Sequence, residues 1–145
     1  MSLLPSILMA DDDPDDRLLL EEAMEEADVH ANVTFVEDGQ ELMDYLMTTA
    51  LAGGSIEAPG LILLDLNMPR MDGREALREI KKHPSLCRIP VVILTTSRSE
   101  EDVARAYASG ANSYITKPVS FDELVDVVRQ IGHYWLKTVS LPQLI

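Results

Sequence analysis

The chain predicts a single α/β domain, a doubly wound sheet of five parallel strands in the order 2-1-3-4-5. Two observations predict it. Five short apolar runs recur along 145 residues, each separated from the next by a longer stretch with helical spacing. Most of the runs do not alternate polar with apolar residues, as suits strands covered on both faces. Right-handed crossovers fold such a βα repeat into a doubly wound sheet. Five strands of this length fit the 2-1-3-4-5 order, whose switch point lies between strands one and three.

The elements follow in order. The strand runs are Ile7-Leu8-Met9-Ala10, Val33-Thr34-Phe35-Val36, Leu61-Ile62-Leu63-Leu64, Val91-Val92-Ile93-Leu94 and Ser113-Tyr114-Ile115. Asp13 caps the first helix, Pro14 takes its first helical position, and Leu20, Ala23, Met24 and Ala27 form its inward stripe. Gly39 opens the second helix, with Leu42, Met43, Leu46 and Met47 at helical spacing. Gly73 opens the third, which carries Ala76, Leu77 and Ile80 and stops before Pro84. The fourth spans about 100–109, with Gly110 as its C-terminal stop. Ser120-Phe121-Asp122-Glu123 fits a capping box for the last helix, whose apolar positions are Phe121, Leu124, Val128, Ile131 and Trp135. Residues 50–60 form a long Gly- and Pro-punctuated loop, and 138–145 form a tail with Val139, Leu141, Leu144 and Ile145.

Composition removes several function classes. The net charge of −13 opposes nucleic-acid binding, which needs a basic stripe, and docking on anionic membranes. The single cysteine, Cys87, excludes an intrachain disulfide, and no Cys/His cluster offers a zinc site. The apolar runs fall far short of the roughly 20 residues needed to span a bilayer. Residues 1–10 lack a basic region and meet five carboxylates within 11–16, unlike a signal peptide. The expectation is a soluble cytoplasmic domain.

In this architecture ligands sit at the carboxyl ends of the strands. Strand one is followed by Asp11, Asp12 and Asp13, and strand three by Asp65, then Leu66-Asn67-Met68-Pro69. Strand four ends in Thr95 and Thr96, and strand five in Thr116-Lys117-Pro118. Strands one and three are neighbours, so Asp11, Asp12 and Asp65 converge. Carboxylates that close repel and need a cation; an all-oxygen set points to Mg²⁺ or Mn²⁺. Lys117 adds a positive charge and Thr95 a hydroxyl. A carboxylate nucleophile, a metal, a cation and a donor make a phosphoryl site.

The segments ILMADDDPDD, LILLDLNMPRMDG, VVILTTS and SYITKP resemble, in order, the four signature segments of the receiver domain of two-component response regulators. The resemblance covers roughly residues 6–133 and implies a flavodoxin-like (βα)5 receiver fold, with 6–137 as the domain and 138–145 as a tail. It implies that Asp65 is the phosphoacceptor, receiving phosphate from the phosphohistidine of a sensor histidine kinase. Asp12 matches the direct metal ligand, Asp11 the acid that holds the metal through water, and Asn67 the backbone-carbonyl ligand. Thr95 and Tyr114 match the switch pair, Thr95 moving toward the phosphoryl group and Tyr114 turning into the space vacated. Lys117 matches the phosphate-binding lysine, and Lys117-Pro118 a bond that is typically cis in the family. Asp13 departs from the common asparagine, and Thr96 from a smaller residue that leaves access to Asp65 wider. Asn67 and Ser97 occupy positions that tune phosphoryl lifetime. The 50–60 loop and the ending His133-Tyr134-Trp135-Leu136-Lys137-Thr138-Val139 with Leu141 are similar to stand-alone regulators paired with bacterial phytochrome kinases. That likeness implies a homodimer, with Tyr134, Trp135, Leu136, Val139 and Leu141 as its candidate residues.

Each feature alone has a plainer reading. Acidic residues at a helix N-terminus favour its dipole, and a lone lysine is usually solvated. Their joint placement at four strand ends argues for a site. Three rivals remain to be weighed. An EF-hand-like calcium loop takes Asp11, Asp13, Asp15 and Glu22 at positions 1, 3, 5 and 12, but Asp16 stands where glycine is needed. An aspartyl phosphatase usually needs a second acid where Asn67 stands. A receiver-like scaffold that takes no phosphate would not need its key residues intact. The expectation is a phosphoacceptor that assists its own phosphorylation and dephosphorylation and turns over no external substrate.

Overall fold

The structure, a computed structural model, describes residues 4–49 and 58–142. Its element order is β1 (Ser6–Ala10), α1 (Pro14–Glu26), β2 (Asn32–Val36), α2 (Gly39–Thr49), β3 (Leu61–Leu64), α3 (Gly73–Lys82), β4 (Val91–Thr95), α4 (Glu100–Ala108), β5 (Ser113–Thr116) and α5 (Phe121–His133). A π-helical turn, Tyr134–Thr138, follows α5. All strand pairs are parallel and the order is β2-β1-β3-β4-β5, as the βα repeat predicts.

The two-residue period of the strands divides the core into two layers. Leu8, Ala10, Ile62, Leu64, Val91 and Ile93 pack with Leu42 and Leu46 of α2, Ala76, Leu77 and Ile80 of α3, and Ala106 of α4. Ile7, Met9, Leu61, Leu63, Val92 and Leu94 pack with Leu20, Ala23 and Met24 of α1 and Val125, Val128 and Ile131 of α5. Each buried Leu, Ile, Val or Met among them contributes about 1.5–3 kcal/mol. The sheet is therefore a rigid platform for whatever its strand ends carry.

Helix starts are capped as the sequence predicts. Asp13 accepts from the Asp15 amide, with Pro14 at the first helical position, and Ser120 accepts from Glu123; Ser99, which the sequence reading did not single out, caps α4 by accepting from Asp102. Asp72 caps α3 by accepting from Glu75. Gly110, with φ of 105°, closes α4 in a conformation that disfavours other residues. The helical α1 also removes the calcium-loop reading, because Asp15 and Asp16 lie in its first turn rather than in an open loop.

Several expectations are corrected. The edge strands β2 and β5 are only partly covered, and each has a single strand neighbour. Met47 and Phe121 are exposed, not inward; Phe121 is the first residue of α5, ahead of the stripe, and Val125 is buried instead. The α-helical pattern ends at His133, and Trp135 lies in the π-helical turn, where the Val139 amide donates to the Tyr134 carbonyl at 3.0 Å. The Lys117–Pro118 bond is trans, since no described peptide bond is cis. Trans is the intrinsically favoured isomer before proline, by about 0.5–1 kcal/mol. Residues 50–57 of the long loop, and Leu144 and Ile145 of the tail, lie outside the described residues.

Candidate phosphoryl site

Strand register builds the site. Ala10 pairs with Leu64, so the residues that follow them, Asp11 and Asp65, emerge side by side at the switch point. The Asp65 amide donates to the Ala10 carbonyl at 3.0 Å, and the Asp11 amide to the Val36 carbonyl at 3.0 Å, which fixes both backbones. Thr95 pairs with Thr116, and the Lys117 amide donates to the Thr95 carbonyl at 2.7 Å. That pairing launches the lysine toward the carboxylates.

Its ammonium reaches three of them. Lys117 Nζ donates to Asp11 Oδ2 at 2.7 Å, Asp16 Oδ2 at 2.7 Å and Asp65 Oδ2 at 2.9 Å. The other oxygens of the two buried acids accept from backbone: Asp11 Oδ1 from the Asp13 amide at 2.9 Å, Asp65 Oδ1 from the Asn67 amide at 3.2 Å. Burial pushes the Asp11 carboxyl above its ordinary value, against the lowering pull of Lys117 and the Asp13 amide. Burial also opposes charge on Lys117, but its carboxylate partners overcome this and hold the ammonium above its ordinary value.

Asp12 is exposed and completes the acidic group. One carboxylate oxygen each from Asp11, Asp12 and Asp65 lie within 4.8 Å of one another. Lys117 brings one positive charge to a group that, with Asp16, holds four carboxylates, so a strongly negative site of oxygen donors remains. That donor set fits a divalent cation of the Mg²⁺ or Mn²⁺ class.

The other expected residues surround this centre. Thr95, wholly buried at the end of β4, accepts a long 3.5 Å bond from the Ser97 amide. Tyr114 is half-buried against the core, and its hydroxyl donates to the Ser97 carbonyl at 2.9 Å. Thr96 is exposed and, with Asp11, Asp16, Arg98, Lys117 and Val119, lines a cleft of about 300 Å³ beside the lysine. Gly73 passes so close to the phosphoacceptor loop that a Cβ would sit 2.0 Å from the Asp65 carbonyl oxygen. Tyr134, Trp135 and Leu136 lie far off, beyond the C-terminal end of α5. Leu141 folds over Gly60, just before the N-terminal end of the central strand β3.

Sequence reasoning missed Asp16 as a partner of Lys117, although Asp16 stands four residues before the inward Leu20 and so shares its helix face. It also missed two ion pairs that hold the surrounding loops. Arg70, at φ of 63°, donates to buried Asp38 at 2.7 Å, and Arg74 grips Asp102. No spacing rule announces either pair, since each joins elements distant in sequence.

A family model for the response regulator receiver domain matches residues 7–129. Response regulator Rcp1 of Synechocystis sp. is 41% identical over 136 residues, spanning 94% of this chain and 92% of that protein. The crystal structure of the Mn²⁺-bound form of Rcp1 covers 96% of this chain and 99% of its own, with 40% identity and a TM-score of 0.85. That of the phosphorylated cyanobacterial phytochrome response regulator RcpA covers 98% and 100%, with 42% identity and a TM-score of 0.87. The response regulator RPA3017, from red-light signalling in R. palustris, covers 97% and 99%, with 37% identity and a TM-score of 0.88. Fold, strand-end chemistry and these likenesses agree: the chain belongs to the response regulator receiver domain family, and its relatives include phytochrome-associated regulators.

Proposed function

We propose that this protein accepts a phosphoryl group on Asp65 from the phosphohistidine of a sensor histidine kinase and signals by changing its protein contacts. The observation that carries this reading is Lys117 Nζ bridging Asp11 and Asp65, with Asp12 beside them. An Asp65 carboxylate oxygen attacks phosphorus; a P–O bond forms as the P–N bond to imidazole breaks. With the other ring nitrogen of the phosphohistidine protonated, the bonding pair stays on the imidazole nitrogen and leaves neutral histidine. Lys117 stabilises charge on the transferring oxygens, and Thr95 is the hydroxyl assigned to donate to one of them. Asp11, Asp12 and Asp65, with the Asn67 carbonyl, are the residues that would hold Mg²⁺ or Mn²⁺. When bound, that cation would supply positive charge to offset the charge of the phosphoryl oxygens.

The likeness to phytochrome-associated regulators supports a phytochrome-type kinase as the donor. Among the described residues no helix is long and apolar enough to cross a membrane, and a cytoplasmic location suits the proposed partner. Residues 6–137 form the receiver unit in this reading. The end of that unit and the 138–145 tail, with Tyr134, Trp135, Leu136, Val139 and Leu141, form a homodimer contact. The protein turns over no external substrate.

The deciding experiment is intact-mass analysis after acetyl phosphate and Mg²⁺, beside Asp65→Asn. One phosphoryl adduct is expected in the wild type, lost in the variant and abolished by chelator. If neither acetyl phosphate nor a phosphorylated kinase gives an adduct, the receiver-like scaffold replaces this reading.

A further inference from the structure

We propose that Asp16 is a positioning residue for Lys117: it takes the third ammonium hydrogen in the unphosphorylated protein and yields it when a phosphoryl group arrives on Asp65. This rests on the reading of Asp65 as phosphoacceptor. An ammonium has three hydrogens to donate, and Asp11, Asp16 and Asp65 take all three at 2.7, 2.7 and 2.9 Å. A phosphoryl group on Asp65 adds charge of about −1.5 to −2 and new acceptor oxygens beside the same ammonium. For Lys117 to bond those oxygens, one present partner must let go.

Burial selects which one. The Asp11 side chain is 0% exposed, and releasing it strands a carboxylate that water does not reach. The Asp16 side chain is 33% exposed, so water replaces the lysine there. Asp16 also sits in the first turn of α1, where the helix dipole favours an anion without any cation beside it. Its release is therefore the least costly of the three. Asp16 is absent from the acidic group that suits a cation, so its effect runs through the lysine. In this arrangement Asp16 holds Lys117 in place before transfer and competes with the phosphoryl group after it.

The test uses the whole chain and beryllofluoride, a phosphoryl mimic, with Mg²⁺. Asp16→Asn removes the competing charge and is expected to bind beryllofluoride about fivefold more tightly than the wild type. Asp15→Asn removes the same charge from the same helix turn, where the side chain does not touch Lys117, and is expected to match the wild type. Asp16→Glu restores a carboxylate and is expected to return affinity toward the wild-type value. A second readout needs neither Mg²⁺ nor mimic: the Lys117 ammonium resonance exchanges with solvent faster in Asp16→Asn than in the wild type. Equal beryllofluoride affinity in Asp16→Asn and Asp15→Asn, or an unchanged ammonium resonance, overturns the proposal. Failure of the wild type to bind beryllofluoride or take phosphate overturns the phosphoacceptor reading and this proposal with it.

Discussion

Arg74 of α3 and Asp102 of α4 meet in a two-pronged ion pair, Nε to Oδ1 at 3.0 Å and Nη2 to Oδ2 at 2.8 Å. The Ser97 hydroxyl donates to the same carboxylate at 2.6 Å, and the Ser97 carbonyl accepts from Tyr114. Arg74 also reaches Asn67 Oδ1 at 3.4 Å. One carboxylate thus joins the phosphoacceptor loop, the loop after β4 and the half-buried tyrosine of β5.

The pair has a pH signature. Arg74 first, and then the Ser97 hydroxyl, hold the Asp102 carboxyl down at about 2, against an ordinary value of 3.8. A group depressed in the fold stabilises it above its unfolded value and loses that contribution as pH falls through the folded value. Asp102→Asn is expected to cost about 2 kcal/mol at pH 7. The gap between wild type and variant should close between about pH 4 and pH 2. Urea unfolding at a series of pH values measures it; a gap constant down to pH 2 contradicts the assignment.

Divalent cation should stabilise the protein through Asp12. Mg²⁺ at 100 times its dissociation constant is expected to add about 2.7 kcal/mol to unfolding stability. Asp12→Ala removes the exposed ligand and should abolish most of that gain. Without Mg²⁺ the same variant should be at least as stable as wild type, because one of the mutually repelling carboxylates is gone. Thermal melts with Mg²⁺ and with chelator distinguish a ligand from a carboxylate that merely adds surface charge.

The passage of Gly73 beneath Asp65 leaves no room for a methyl group. The Gly73 amide donates to the Leu66 carbonyl at 2.9 Å, which holds the backbones together. Gly73→Ala is expected to cost about 3 kcal/mol by overpacking, because the opposing atoms are backbone and yield little. It should also slow phosphorylation by acetyl phosphate by displacing Asp65. A variant with wild-type stability and rate would show that the loop relaxes freely.

Much of this was legible because the governing rules are local. Parallel strands with apolar runs place the ends of β1 and β3 together, so convergence of Asp11, Asp12 and Asp65 follows from order and register. Capping by Asp13 and Ser120 is likewise a matter of a few neighbouring residues. Asp16 escaped because it reads as one more first-turn acid until Lys117, distant in sequence, is seen to reach it. The same holds for Arg74 with Asp102 and Arg70 with Asp38. The helix-spacing rule overran its end at Trp135, since a widened turn keeps apolar residues close together while changing the hydrogen-bond step.

That widened turn carries the last prediction. The ring of Tyr134 meets Trp135 edge to face at 5.2 Å, and Tyr134 remains 52% exposed. An aromatic pair left open at the end of α5 suits a contact with a second copy of the chain. Tyr134→Asp places a charge there at little cost to the monomer, within about 0.5 kcal/mol for an exposed position. Sedimentation velocity is expected to show a wild-type dimer and a variant monomer, with beryllofluoride binding unchanged in the variant. Trp135→Ala should dissociate the dimer too, but at a further cost of about 2 kcal/mol, because the indole packs against the α1–α5 core layer. A dimer that survives both substitutions would place the contact elsewhere on the chain.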